Sequence, residues 1–393
     1  MKLLIVNVDC GTGSTGRICT DAASSLIQRG VDVRIAYGRD TKAGFESISY
    51  RIGGNYQVLS HAFFSRLLDC QGLCSKKATR TFLEWAEEYD PDCIWLHNIH
   101  GYYLNYEMVF SWIKKRPWMK VVWTLHDCWA FTGHCSHFTL NKCDLWKSGC
   151  EKCRFKKEYP KSVFLSMSKR NYLRKRKAFL NIHNMEIITP SEWFADLVKQ
   201  SFLKVYPIRV INNGIDTSVF KPMKSRSLEK YSIDLKKKIV LGVAGVWSKN
   251  KGFDDFIKLS EYLNHDYQIV LVGVNKKQQK KLPKKIIAIE KTDNTNELAE
   301  LYSSAYVYVN LSYEENYPTT NIESVACGTP VVTYETGGSV ESVVPNCVVK
   351  QGKVKEIAEL IMSGNFGIKT DFNFDKDSML TKVGNAILND NLM

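Results

Sequence analysis

The chain has 393 residues, enough for two or three domains at roughly 100–200 residues each. Its 44% hydrophobic and 24% charged residues form a globular mix that excludes a disordered chain. A formal net charge of +13 favours anionic partners (nucleotide, phospholipid headgroup or nucleic acid), and no apolar run reaches the roughly 18–20 residues that span a bilayer.

Met1 to Asp9 is too short for a signal h-region and reads as a first strand, which predicts a cytoplasmic chain. Its 12 cysteines are then thiols or metal ligands rather than disulfides. Strands are predicted at 3–8, 31–37, 93–96, 121–125 and 186–189, and again at 208–211, 239–244, 269–272, 286–289, 306–310 and 330–333. Helices are predicted at 15–29, 78–88, 254–263, 297–304 and 320–327. This alternation predicts an α/β protein of two parallel-sheet domains joined near Pro190–Ile215, interrupted once by a Cys-rich and basic insertion at 128–177.

Gly11-Thr12-Gly13-Ser14-Thr15-Gly16 follows the first strand and opens a helix, the setting of a phosphate-binding turn. It admits three readings: a dinucleotide site with Asp40 closing the second strand, a purely structural turn, or one wall of another phosphate site. His97, His100 and His126 follow strands and end at the same sheet edge as the glycine loop. Each is either a satisfied core residue or a ligand contact.

Cys128, Cys135, Cys143, Cys150 and Cys153 lie within 26 residues, with His134 and His137 among them. Cys135, Cys143, Cys150 and Cys153 suit a structural zinc, the closing C-x2-C being a common ligand pair; labile disulfides and plain buried thiols are the other readings. From Arg154 to Lys177, ten residues are Lys or Arg and only Glu158 is acidic, with aromatic and aliphatic residues between them. That pattern is a solvated helix face, an anionic-membrane patch, or part of a zinc-containing nucleic-acid module.

Glu315 and Glu323 stand eight positions apart, one in the loop after a strand and the other inside the next helix. Two solvated surface glutamates are the plain reading, but the turn and buried strand at Gly328–Val332 hold that helix rigidly. There Glu323 can accept two hydrogen bonds from ribose hydroxyls, and the amides at Thr319–Asn321 point at a phosphate or sugar.

Glu315-x7-Glu323 followed by Ser324–Val332 resembles the family 4 retaining glycosyltransferases, whose GT-B fold has two Rossmann-like domains facing each other across a cleft. Pro190-Ser191, Asn213–Asp216, Gly245-x5-Lys251-Gly252 and His126-Asp127 agree in order and spacing, so the resemblance covers about residues 1–345. It implies a sugar moved from a UDP- or GDP-sugar to a glycan or lipid-linked hydroxyl, in surface polysaccharide assembly. His126 and Glu315 are then catalytic. Gly13, Ser14, Lys251, Tyr317, Pro318, Thr319, Thr320 and Glu323 bind the donor, and His97, His100 and Tyr102 the acceptor. The implied domains are 1–195, 196–365 and a tail, 366–393, returning to the first domain. The family usually carries Arg where this chain has Val246, and Lys249 is the nearest substitute.

Asp-x-Asp occurs only at 90–92 and 375–377, away from a metal-binding strand end, so no catalytic cofactor is expected. Comparable Cys-rich insertions in a bacterial polysaccharide subgroup of the family support a structural role for the cluster. A peripheral position at the inner membrane face, without nucleic acid, completes the expectation. An NAD(P)-dependent Rossmann oxidoreductase and a basic zinc-containing nucleic-acid binder are the alternatives from other classes.

Overall fold

A computed structural model describes residues 1–225, 228–234, 236–371 and 373–388. The chain forms two compact units, Met1–Ile211 together with the stretch from Leu380 onward, and Asn212–Met379.

The first unit is built on a parallel sheet of seven strands, β1 (Lys2–Asn7), β2 (Asp32–Tyr37), β3 (Ser49–Arg51), β4 (Cys93–Leu96), β5 (Lys120–Thr124), β6 (Met185–Thr189) and β7 (Ile208–Val210), in the order β3-β2-β1-β4-β5-β6-β7. The second carries six parallel strands, β8 (Lys238–Val243), β9 (Tyr267–Val272), β10 (Ile286–Ile289), β11 (Val307–Asn310), β12 (Val331–Tyr334) and β13 (Val348–Val349), in the order β10-β9-β8-β11-β12-β13. Central strands are apolar along their length because helices cover both faces of such a sheet; β4 and β11 are buried at every position. The strand order reverses between β1 and β4 in one unit and between β8 and β11 in the other. Ligands bind open α/β sheets outside the strand carboxyl ends at such reversals.

Two boundaries fall elsewhere than the sequence suggests. The stretch 196–211 stays with the first unit because β7 pairs with β6, Ile187 opposite Ile208. Residues 366–379 stay with the second, where Ile215 N–H donates to Phe374 O at 2.9 Å. Further along the helix Lys376–Leu388, Asn385 Oδ1 accepts from Arg29 at 3.4 Å. Within the segment 128–177, Trp129, Phe131, Trp146 and Tyr172 belong to the first unit's core. Phe179 stacks among Phe110, Trp123 and Trp129 at ring separations of 4.6, 4.9 and 6.3 Å.

Candidate active site

In the first unit the reversal point is closed by Asn7 at the end of β1. Its side chain donates to Asp9 O at 2.8 Å and accepts from Asn98 N–H at 3.3 Å, joining the glycine loop to the turn after β4. Gly11 and Gly13 hold left-handed φ of 74° and 64°, and the helix Gly13–Gln28 starts there without a side-chain cap from Thr12. Its first amides, at Gly13 and Ser14, therefore open an anion-accepting terminus.

The histidines converge as two pairs. His97 Nδ1 lies 2.9 Å from His126 Nε2, with the rings nearly parallel at 5.2 Å. His100 Nε2 lies 2.9 Å from Asp127 Oδ2. Burial brings the His126 imidazole down to about 4, against the pull of Asp127, and drives His97 well below its ordinary range. Both are neutral at pH 7, so one ring donates its N–H across their contact and the other accepts it. Burial raises the Asp127 carboxyl, but His100, His137 and the Trp129 N–H outweigh it and leave the group at about 2. Tyr102 is buried beside them with a left-handed φ of 71°.

In the second unit a cavity of about 100 Å³ sits at the β8–β11 reversal, lined by Gly245, Trp247, Lys251, Glu315 and Thr320, among others. Lys251 ion-pairs with Glu315. The turn that presents Lys251 requires glycine next: Gly252 has φ +73°, and a Cβ there would lie 2.3 Å from Leu311 O. Trp247 donates Nε1–H to Val272 O at 2.8 Å and closes one wall. The helix Thr319–Ala326 begins after Pro318 without a side-chain cap, leaving the Thr319 and Thr320 end polar. Asn321 anchors that helix, accepting from Asn310 at 2.9 Å and donating to the Ser339 and Ser342 hydroxyls at 3.0 and 2.9 Å.

Lys251, Glu315 and Thr320 thus line one cavity; Tyr317, Pro318, Thr319 and Glu323 lie outside its lining. Glu323 is one helical turn on, accepting from Tyr302 OH at 3.0 Å; burial, then the charge of Glu323, keeps that phenol protonated. Tyr317 is buried in the core cluster with Ile215 and Ile322, and its backbone O accepts from Asn213 at 3.1 Å. Val246 is 76% exposed, and Lys249 is exposed and does not line the cavity. Among the described residues Lys251 is the one cation there.

Sequence reasoning passed over Asn310 and Asn321, which look like ordinary polar residues, and the pairing role of Asp127. The asparagine within the Glu-x7-Glu stretch was the available signal.

The four late cysteines line a common cavity of about 610 Å³ with His134, yet only Cys135 and Cys153 approach, at 4.0 Å. Among the described residues no group of three or more His, Cys, Asp or Glu is arranged to hold a metal ion. His134 is buried, its Nδ1 2.7 Å from Asp69 and its Nε2 without a partner, and Gly133 N–H donates to Cys150 Sγ at 3.1 Å. In the basic stretch Lys175 is internal, donating to Trp129 O and Thr132 O at 2.7 and 3.1 Å, and Arg174 ion-pairs with Glu107. Lys175 is thus no surface charge, whereas Arg174 is partly exposed but paired. Lys152, Lys169, Arg170 and Lys177 remain around an open cavity of about 670 Å³. No helix among the described residues is long and apolar enough to cross a membrane.

Residues 224–363 match the family described as glycosyl transferases group 1. An Escherichia coli (strain K12) protein assigned to colanic acid biosynthesis as the glycosyl transferase WcaC is 31% identical over 233 residues, 55% of each chain. The chain thus spans about half the length of that curated relative. Among solved structures, sucrose-phosphate synthase from Thermosynechococcus elongatus superposes with TM-score 0.68 at 14% identity, covering 99% of this chain and 98% of that one. Anabaena Alr3699/HepE in complex with UDP and glucose gives 0.63 at 14%, covering 99% and 100%. These likenesses carry the fold, the GT-B arrangement of two Rossmann-like domains. Residues 15–219, more than half of the sequence, match the model of Glycosyltransferase Family 4, and the chain belongs to that family.

Proposed function

We propose that the protein transfers a sugar from a UDP- or GDP-sugar to a hydroxyl of a glycan or lipid-linked acceptor, with retention and without a catalytic metal, in bacterial surface polysaccharide assembly. The observation that carries this is the second unit's cavity, where Lys251 and Glu315 meet beside an uncapped helix end at the reversal of strand order. In the proposed reaction the bond from the anomeric carbon to the diphosphate breaks, a bond to the acceptor oxygen forms, and the hydroxyl proton is released. Lys251 and the amides at Thr319 and Thr320 offset the charge growing on the diphosphate. Glu323 takes the ribose hydroxyls and Glu315 faces the sugar. Gly13 and Ser14 contribute amides to the phosphates. Neutral His126, aligned by His97, contacts the transferred sugar, and His100 and Tyr102 the acceptor.

The likeness to a UDP- and glucose-bound structure supports the donor class, and the colanic acid relative supports the polysaccharide setting. Membership of a glycosyltransferase family leaves the oxidoreductase and nucleic-acid readings without support. A structural zinc at Cys135, Cys143, Cys150 and Cys153, and a peripheral place on an anionic membrane, belong to the same proposal.

Calorimetric titration with UDP and GDP tests the donor site. One nucleotide should bind, and Glu323→Ala should weaken it by roughly 1.5–3 kcal/mol, the loss of a charge-assisted hydrogen-bond pair. Unchanged affinity in that variant would remove Glu323 from the site; no binding of either nucleotide would remove the proposed donor.

A further inference from the structure

A cavity of about 450 Å³ in the first unit is walled by Arg39, Arg66, Tyr102, Tyr159, Lys161 and Val163. It has three cations and no carboxylate. Arg39 is braced rather than neutralised, its Nε–H donating to Gly101 O at 3.0 Å and its guanidinium lying 5.6 Å from the Tyr102 ring centre. Among the described residues neither Arg66 nor Lys161 forms an ion pair.

The walls are held in place by their backbone. Val163 N–H donates to Arg66 O at 2.7 Å, tying the loop of Tyr159–Val163 to the end of the helix Asn55–Leu68. Tyr102 is kept in the left-handed region, a strain that persists only where surroundings impose it. Three like charges converging on a cavity that no carboxylate lines repel one another, and an anion relieves that repulsion. On one side the cavity adjoins the acceptor histidines: the Tyr159 ring lies 6.4 Å from His100, which contacts Asp127. On the other, its cations are flanked along the chain by exposed apolar residues, Phe63 and Phe64 before Arg66 and Phe164 after Lys161, at 62%, 45% and 67% exposure. Phosphate-binding cations thus stand between a sugar site and an apolar surface.

We infer that Arg39, Arg66 and Lys161, with the Tyr102 and Tyr159 rings, bind a phosphate or diphosphate group carried by the acceptor. This rests on the transferase reading above and names its acceptor class. The shared chemistry is a phosphorylated sugar, either on an isoprenoid chain lying along the apolar residues or free in water.

The test titrates inorganic diphosphate into the protein with saturating UDP or GDP present, whichever the protein binds, so that the donor's phosphate site is occupied. Binding is expected, and Arg66→Gln and Lys161→Gln should each weaken it about tenfold, the loss of one charged hydrogen-bonding partner. Lys280→Gln with Lys281→Gln, an equal or greater loss of charge at exposed positions of the other unit, should leave it unchanged. A short isoprenyl diphosphate in detergent separates the sources. If it binds more tightly than inorganic diphosphate and is weakened by the same two substitutions, the acceptor is lipid-linked; equal affinity assigns a water-soluble acceptor. Absence of diphosphate binding, or an affinity that Arg66→Gln and Lys161→Gln leave unaltered while their melting temperatures match the parent, overturns the inference. Failure of both UDP and GDP to bind would overturn the transferase reading instead, and the diphosphate titration of the two variants would still decide the pocket.

Discussion

Glu315 and Lys251 each give the other its partner, and a donor diphosphate would compete with Glu315 for Lys251. Glu315→Gln should therefore bind UDP as tightly as the parent or more so, while turnover falls by more than about tenfold through loss of the carboxylate facing the sugar. Equal losses of affinity and turnover would give Glu315 a purely binding role. Lys175 makes a second residue-level prediction. Burial holds its amine at about 7, and a neutral amine still donates two hydrogen bonds to the carbonyls of Trp129 and Thr132. Between pH 7 and an unfolded value near 10.5, the unfolded chain binds one more proton at this site than the folded chain. Stability from this group therefore rises with pH across that window, by up to about 1.4 kcal/mol per unit, and the cost of burying it is fully present below pH 7. Lys175→Met removes the effect. Urea unfolding at pH 7, 8 and 9 should find the parent gaining on that variant as pH rises, and parallel curves would contradict the buried amine.

Each candidate catalytic side chain is set by an element end meeting another strand's end. Gly252 illustrates the tolerance. Its φ of +73° costs an L-residue about 1–2 kcal/mol, and a Cβ would collide with Leu311 O. Gly252→Ala should lower stability by at least that amount and displace Lys251, so UDP affinity should fall although no ligand-contacting group is removed. Thermal unfolding with calorimetry on one preparation checks both; a destabilised variant with parental affinity would mean Lys251 does not hold the nucleotide. The helix Thr319–Ala326 depends similarly on Asn321, whose amide satisfies groups from β11 and from the Gly337–Ser342 turn. Replacing it would remove the acceptor of the Asn310 amide and one of the hydrogen bonds at each serine hydroxyl, all of them buried.

For the whole molecule, the net charge of +13 fits the proposed anionic surface, but not every basic residue that a sequence count would choose is free to meet it. Lys175 is engaged internally and Arg174, partly exposed, is paired with Glu107, while Lys152, Arg170 and Lys177 are exposed. Changing those three to Glu should reduce sedimentation with anionic liposomes at low salt, since each cation near such a surface contributes about 1 kcal/mol and salt screens it. Undiminished sedimentation would leave the stretch a solvated face. Elemental analysis decides the zinc: about one ion per chain is expected, held by Cys135, Cys143, Cys150 and Cys153, with lower stability in Cys150→Ser and Cys153→Ser. Metal-free protein of full stability would make the cluster plain thiols.

The sequence by itself determined the parallel α/β plan, because strands covered on both faces must be apolar throughout and their turns must carry glycine. It also exposed Glu315, Glu323, Lys251 and His126, whose spacing from strand ends is local. The short edge strands β3 and β13, of three and two residues, were not legible, being strands only through the neighbour they pair with. Nor was the helix Asn55–Leu68, whose apolar residues face outward and therefore lack a buried periodic face. Only the tertiary structure decided that Lys175 is internal while Lys177 is not, a matter of which side of one helix meets Trp129. It alone decided, too, that Arg39, Arg66 and Lys161 converge. They come from three separate segments, and convergence of distant charges is a property of packing, which a linear pattern does not encode.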